Sequence, residues 1–168
     1  AINPCIVVPF YNHEHAIAAT VAALRPLGLC CWLVDDGSAA QCAPVLDALA
    51  ASDAAWLQLI RYQPNQGKGH AVMIGCAAAY AAGHTHAVQV DADGQHDIAD
   101  IPKLLALAAG NPQALVTGVP VYDASVPRGR LYGRYITHFW VWLHTWSLQI
   151  QDSMCGFRVY PLRESLAL

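Results

Sequence analysis

Short, continuously apolar runs alternate along this chain with alanine-rich stretches, and the apolar runs end abruptly in polar or acidic residues. Cys5-Ile6-Val7-Val8-Pro9-Phe10 stops at Tyr11-Asn12, Cys31-Trp32-Leu33-Val34 at Asp35-Asp36-Gly37-Ser38, and the run from His86 to Val90 at Asp91. A strand that is apolar at consecutive positions must be covered on both faces. Between and after these runs, Ala16 to Leu24, Ala43 to Ala51, Gln66 to Ala82 and Ile98 to Ala109 read as helices. Trp56 to Tyr62 and Ala114 to Thr117 read as further strands. The alternation predicts an α/β fold: a mostly parallel central sheet with helices on both faces. In such sheets ligands bind beyond the carboxyl ends of the strands, where the polar clusters of this chain fall.

The 168 residues are enough for one domain with a sizeable core. Charged residues make up only 12%, against about 25% in ordinary globular chains, so a compact globule is expected. The net charge is -3 and the basic residues are scattered, which excludes the basic stripe of a nucleic-acid binder. Six cysteines show no CxxC pair and no disulfide-scaffold spacing, so buried reduced thiols in a cytoplasmic protein are expected. The longest apolar candidate for a membrane span, Leu131 to Ile150, is interrupted by Arg134, His138, His144 and Gln149. Beyond Gly118 a proline-containing loop leads into an aromatic helix around Gly129 to Ile150. The sequence ends in what reads as the first turn of another helix, Leu162 to Leu168. The whole chain, 1–168, is expected to be one domain truncated at its C-terminus.

Asp91-Ala92-Asp93-Gly94-Gln95 places two carboxylates two residues apart where a strand ends. Hard oxygen ligands of this kind suit Mg²⁺ or Mn²⁺ bridging the phosphates of a substrate, and Gln95 can add an amide oxygen. A solvated acidic turn would look the same in isolation. Asp35-Asp36-Gly37-Ser38 offers a helix cap and a turn, but two acids exceed what a cap requires. One of them can accept hydrogen bonds from a nucleobase or a ribose. Asn65-Gln66-Gly67-Lys68-Gly69-His70 puts glycines and a lysine before a helix, a phosphate cradle in principle, although neither GxxxxGK[ST] nor GxGxxG is present. Of the eight histidines none has zinc spacing, and His96 stands out only because it abuts the acidic segment.

Taken in order, these segments resemble the family 2 glycosyltransferases of GT-A (Rossmann-like) fold, and most closely their dolichyl-phosphate mannosyltransferase-like branch. The resemblance is carried by Val8-Pro9-Phe10-Tyr11-Asn12 with Glu14, Val34-Asp35-Asp36-Gly37-Ser38, and Asn65 with Gly67-Lys68-Gly69 and Ala71. It continues through Asp91-Ala92-Asp93-Gly94-Gln95-His96 and Asp152 with Cys155-Gly156-Phe157-Arg158. It implies an inverting enzyme that moves a sugar from a UDP- or GDP-linked donor to a hydroxyl or lipid-phosphate acceptor. Pro9, Tyr11, Glu14 and Asp36 would line the base and ribose, with Asp35, Lys68 and Asp91 also on the nucleotide. Asp91, Asp93 and Gln95 would hold Mg²⁺ or Mn²⁺, and Asp152 would be the general base. Where the mannosyltransferase branch has Gly-Ser-Arg, this chain has Thr117-Gly118-Val119-Pro120. An arginine for an acceptor phosphate is therefore sought at Arg128, Arg130 or Arg134. The run Phe139-Trp140-Val141-Trp142-Leu143-His144-Thr145-Trp146 suits packing on the sheet, and also peripheral contact with the inner face of a membrane. Two other classes fit the motifs less well. A sugar nucleotidyltransferase would open with a glycine-rich loop after the first strand, and a non-catalytic binding module would have no use for Asp152.

Overall fold

The computed structural model describes residues 1–118 and 156–167, and all structural statements below concern these. Four apolar runs form parallel strands: β1 (Pro4–Phe10), β2 (Cys31–Asp36), β3 (Leu57–Tyr62) and β4 (His86–Gln89). Helices α1 (Ile17–Leu24), α2 (Ala43–Ser52) and α3 (Lys68–Ala81) connect them, and α4 (Ile101–Gly110) follows β4. Two short strands, β5 (Val116–Thr117) and β6 (Arg158–Pro161), complete a six-stranded sheet of order β3-β2-β1-β4-β6-β5. The helix α5 (Leu162–Ser165) comes next.

Consecutive apolar residues of β1 serve opposite faces, as period-two geometry requires. Ile6, Val8 and Phe10 join Leu33 and the apolar sides of α1, α2 and α4 in one core. Cys5 and Val7 join Val34, α3 and Leu162 in the other. The expected covering of both faces is therefore present. On the second face α3 approaches closely: a methyl at Gly75 would fall 2.6 Å from Val7 Cγ1 and 3.0 Å from Val34 Cγ2. The described cysteines are free thiols, and burial pushes those of Cys31 and Cys76 up to about 12. His86 is a satisfied core histidine, with Nδ1 3.0 Å from Thr85 Oγ1 and Nε2 3.0 Å from Pro112 O.

Several boundaries differ from the sequence expectation. The third helix starts at Lys68 rather than Gln66, because Gly67 has φ +94° and cannot belong to a right-handed helix. The strand expected over Ala114 to Thr117 shrinks to Val116–Thr117, since Ala114 N–H is committed to Asn111 O in a turn. The C-terminal helix, expected over Leu162 to Leu168, is described only as Leu162–Ser165. β6, unforeseen as a strand, runs antiparallel to both β4 and β5 and lies between them. The aromatic stretch 129–150 lies outside the described residues.

Candidate active site

The parallel register carries three loops to one end of the sheet. Phe10 pairs with Asp35, and Val7 pairs with Gln89, so the residues after β1, β2 and β4 emerge side by side. The first two loops brace each other. Asn12, with φ 53°, a left-handed value that asparagine tolerates, accepts the Ala39 N–H at 2.9 Å and donates its own N–H to Ser38 Oγ at 3.2 Å.

Asp36 organises the next loop. Its Oδ1 accepts Tyr62 Oη–H at 2.7 Å and Gln66 N–H at 2.8 Å, and its Oδ2 accepts Asn65 Nδ2 at 3.0 Å. Burial, reinforced by the Asp36 carboxylate, holds the Tyr62 phenol above its usual value, so it stays a donor. Gly37 has φ +68°, and a side chain there would collide with the backbone nitrogen of Asn65. Gly37 thus lets the two loops interlock, which fixes Gly67 and Lys68 at the start of α3. The first turn of this 14-residue helix has no side-chain cap, which leaves its N–H groups open to a ligand.

Asp91 stands at the centre. Its Oδ2 accepts Lys68 Nζ at 2.6 Å, and its Oδ1 accepts Gln89 Nε2 at 3.1 Å. His96 Nε2 lies 3.2 Å from Oδ2, yet that nitrogen has no aligned hydrogen bond. We read this pair as an electrostatic contact, with the imidazole held in place by stacking on Phe157 at 4.9 Å between centroids. Burial pushes the Asp91 carboxyl up, but the contacts from His96, Lys68 and Gln89 outweigh it and hold the group well below the usual carboxylate range. Gly156 packs against the same carboxylate: a methyl there would lie 2.5 Å from Oδ2 and 2.7 Å from Oδ1. Thr20 of α1, with Oγ1 3.2 Å from both Ala16 O and Ala92 O, ties the acidic loop to the helix layer.

A cavity of about 320 Å³ opens here, and Pro9, Tyr11, Asp36, Lys68, Asp91 and Asp93 line it. Of the residues assigned a catalytic, nucleotide or metal role from the sequence, these six converge, joined by Asn65 and Gly67 of the expected phosphate cradle. Gln95 is exposed, and its N–H closes a turn onto Asp93 Oδ1 at 3.1 Å. Asp35 is turned away, accepting Arg61 Nε at 3.0 Å and Ser38 N–H at 3.0 Å. Glu14 accepts Cys42 Sγ–H at 3.4 Å and is absent from the lining. Asp152, Arg128, Arg130 and Arg134 lie outside the described residues. His13 also lines the cavity, and Gln89 and Gly156 touch Asp91. No sequence signal marked His13 or Gln89, while Gly156 belonged to a quoted motif without an assigned task.

Among the described residues no three His, Cys, Asp or Glu side chains converge into a self-sufficient metal site. What the cavity offers is a pair of carboxylates, Asp91 and Asp93, with the first already neutralised by the Lys68 ammonium. That donor set fits Mg²⁺ or Mn²⁺, which commonly take one or two carboxylates and complete their shell with substrate phosphates and water. No helix of the described residues is long and apolar enough to cross a membrane.

Comparison with known proteins agrees with this geometry. An uncharacterised protein of Methanocaldococcus jannaschii is 27% identical over 159 residues, which cover 91% of this chain and 69% of the relative. The undecaprenyl-phosphate 4-deoxy-4-formamido-L-arabinose transferase of Sodalis glossinidius is 34% identical over 110 residues, covering 62% of this chain and 33% of that protein. Among solved structures, the mannosyltransferase PcManGT of Pyrobaculum calidifontis, in complex with GDP-Man and Mn²⁺, superposes with TM-score 0.61 at 20% identity. That match covers 71% of this chain and 36% of PcManGT. TarS 1-349 of S. aureus, in complex with UDP-GlcNAc, superposes with TM-score 0.60 at 15% identity over 96% of this chain and 46% of that one. The chain thus spans less than half the length of these solved structures, and the likeness establishes the GT-A fold. The sequence model of glycosyl transferase family 2 matches residues 5–164, nearly the full length, and the chain belongs to that family.

Proposed function

We propose that this domain transfers a sugar from a UDP- or GDP-linked donor to a hydroxyl or lipid-phosphate acceptor, with inversion at the anomeric carbon and with Mg²⁺ or Mn²⁺. The observation that carries the reading is the convergence of Asp36, Lys68, Asp91 and Asp93 on one cavity at the carboxyl end of a parallel sheet. The solved relatives with GDP-Man and UDP-GlcNAc support a nucleoside-diphosphate-sugar donor. The relative from Sodalis glossinidius, an undecaprenyl-phosphate sugar transferase, favours a lipid-phosphate acceptor.

Each residue then has a task that follows from its surroundings. Tyr11, about half exposed at the cavity wall, offers a ring on which a base can stack. Asp36, already accepting three hydrogen bonds, acts by holding the Asn65–Lys68 loop in place as much as by direct contact. Lys68 and the open N–H groups of α3 supply positive potential for the diphosphate. Asp91 and Asp93 would hold the cation, which when bound neutralises charge on the departing nucleoside diphosphate as a Lewis acid. The acceptor oxygen attacks the anomeric carbon from the face opposite the diphosphate oxygen, and that carbon–oxygen bond breaks. For a hydroxyl acceptor, Asp152 would take the proton.

Thermal denaturation with UDP, GDP and their sugars, with and without Mn²⁺, tests the reading. Saturating ligand at a hundredfold its Kd should add about 2.7 kcal/mol of stability, and the gain should depend on Mn²⁺. A folded protein that responds to no nucleotide under either condition would overturn it.

A further inference from the structure

Gln89 breaks the pattern of its strand. Its neighbours Ala87, Val88 and Val90 are apolar, and Gln89 is itself only 4% exposed, so its amide must find partners inside the protein. It finds two. Nε2 donates to Asp91 Oδ1 at 3.1 Å, and Oε1 accepts the Tyr160 hydroxyl at 3.0 Å. β6 delivers Tyr160: in the antiparallel register Ala87 faces Tyr160 and Gln89 faces Arg158.

The orientation of the amide follows from charge. A flipped Gln89 would aim its carbonyl oxygen at an ionised carboxylate, and Tyr160 would have to accept instead of donate. The Asp91 charge and the Tyr160 proton therefore select the same rotamer from both ends. Burial holds the Tyr160 phenol above its usual value, so that proton is retained. One carboxylate oxygen, Oδ1, is committed to the protein interior. The other, Oδ2, is the one that Lys68 contacts at the cavity.

We propose that Gln89 and Tyr160 form a positioning chain that dedicates Asp91 Oδ1 to the sheet, so that Oδ2, which faces Lys68 at 2.6 Å, is the oxygen that exchanges this ammonium for the cation of a metal–nucleoside diphosphate. The inference rests on the metal-dependent donor reading above. Neither residue touches substrate in this arrangement; both act through Asp91. Groups behind a metal ligand typically change metal affinity 10- to 100-fold when removed.

The test measures Mn²⁺ affinity of the full chain saturated with GDP or UDP, by electron paramagnetic resonance of free Mn²⁺, beside nucleotide affinity without metal. Gln89→Leu should weaken Mn²⁺ binding about tenfold or more. Tyr160→Phe keeps the ring and removes one hydroxyl; it should weaken binding about 3- to 10-fold, the worth of one hydrogen bond. Metal-free nucleotide affinity should stay unchanged in both, which a general loss of structure would not allow. The double variant should be no weaker than Gln89→Leu alone, because the two residues act in series. Additive losses would overturn the chain. So would wild-type Mn²⁺ affinity in either single variant while Asp91→Asn loses it, and that result would leave the donor reading standing. Absence of Mn²⁺-dependent nucleotide binding in the wild type would bring both down together.

Discussion

Gly156→Ala puts the largest perturbation on the site with the smallest change in chemistry. The backbone there is outside the left-handed region, so alanine meets no torsional objection. Its methyl, however, would lie 2.5 Å from Asp91 Oδ2, 2.7 Å from Oδ1 and 2.9 Å from Cγ, where ordinary contact begins at 3.4 Å. To restore contact the carboxylate must retreat by close to an ångström. That movement would strain the 2.6 Å bond to Lys68 and stretch the 3.1 Å bond to Gln89. A displacement of about 1 Å in a reacting constellation can cost on the order of 100-fold in rate, while overpacking costs roughly 1–3 kcal/mol in stability. Gly156→Ala should therefore remain folded in urea titration and lose about two orders of magnitude in kcat/KM. Its Mn²⁺-dependent nucleotide binding should fall in parallel. Gly110→Ala, where nothing lies within 4 Å of the added methyl, is the matched control and should leave both unchanged. Activity of Gly156→Ala within threefold of wild type would refute the claim that this glycine sets the position of Asp91.

Three further outcomes follow from the geometry. Asp93→Ala should abolish the Mn²⁺ dependence of nucleotide binding in a thermal-shift assay; a variant that still binds through Mn²⁺ would remove Asp93 from the ligand set. Gly75→Ala should destabilise the fold by about 1–3 kcal/mol in urea unfolding, because its methyl meets Val7 and Val34 at 2.6 and 3.0 Å, and Val7→Ala should recover part of that loss. The Asp91 carboxyl is held below its ordinary 3.8 when folded, so its contribution to stability is present above about pH 4 and fades as pH falls through the folded value. In metal-free urea titrations, Asp91→Asn should flatten the loss of stability on acidification below pH 4, and an unchanged slope would contradict that assignment.

The parallel half of the sheet was legible because doubly buried strands must be apolar at consecutive positions, and Cys5 to Phe10 declares this in six residues. The acids that end β2 and those that follow β4 marked the ligand end for the same reason: apolar covering of a buried strand does not explain them. Burial in space, though, is silent in sequence. Asp35 and Asp36 are adjacent and equally buried, yet one is spent on Arg61 and the other lines the cavity. Only the pleat, which sends neighbours to opposite faces, separates them. β6 escaped notice because four residues, alternately buried and half-buried, are too few to show a period, and one of them is Pro161. Gln89 was read as one more member of a strand, since its partner Tyr160 lies 71 positions away.

That long-range insertion of β6 has a consequence for how the protein comes into being. As the chain emerges during synthesis, β1 to β4 can pair as soon as their own helices are out, each joining a neighbour already present. β5 must wait, because its described pairing is with a strand that has not yet been made. Until residues 156–161 appear, the outer edge of β4 offers unpaired backbone groups to any passing strand, and Asp91 lacks Gly156 at its back. A nascent chain halted in between would hold most of its described sheet and the residues that line the cavity, but not the glycine that packs against Asp91. The segment that lays Gly156 against Asp91 is thus the same one that covers the exposed edge of β4.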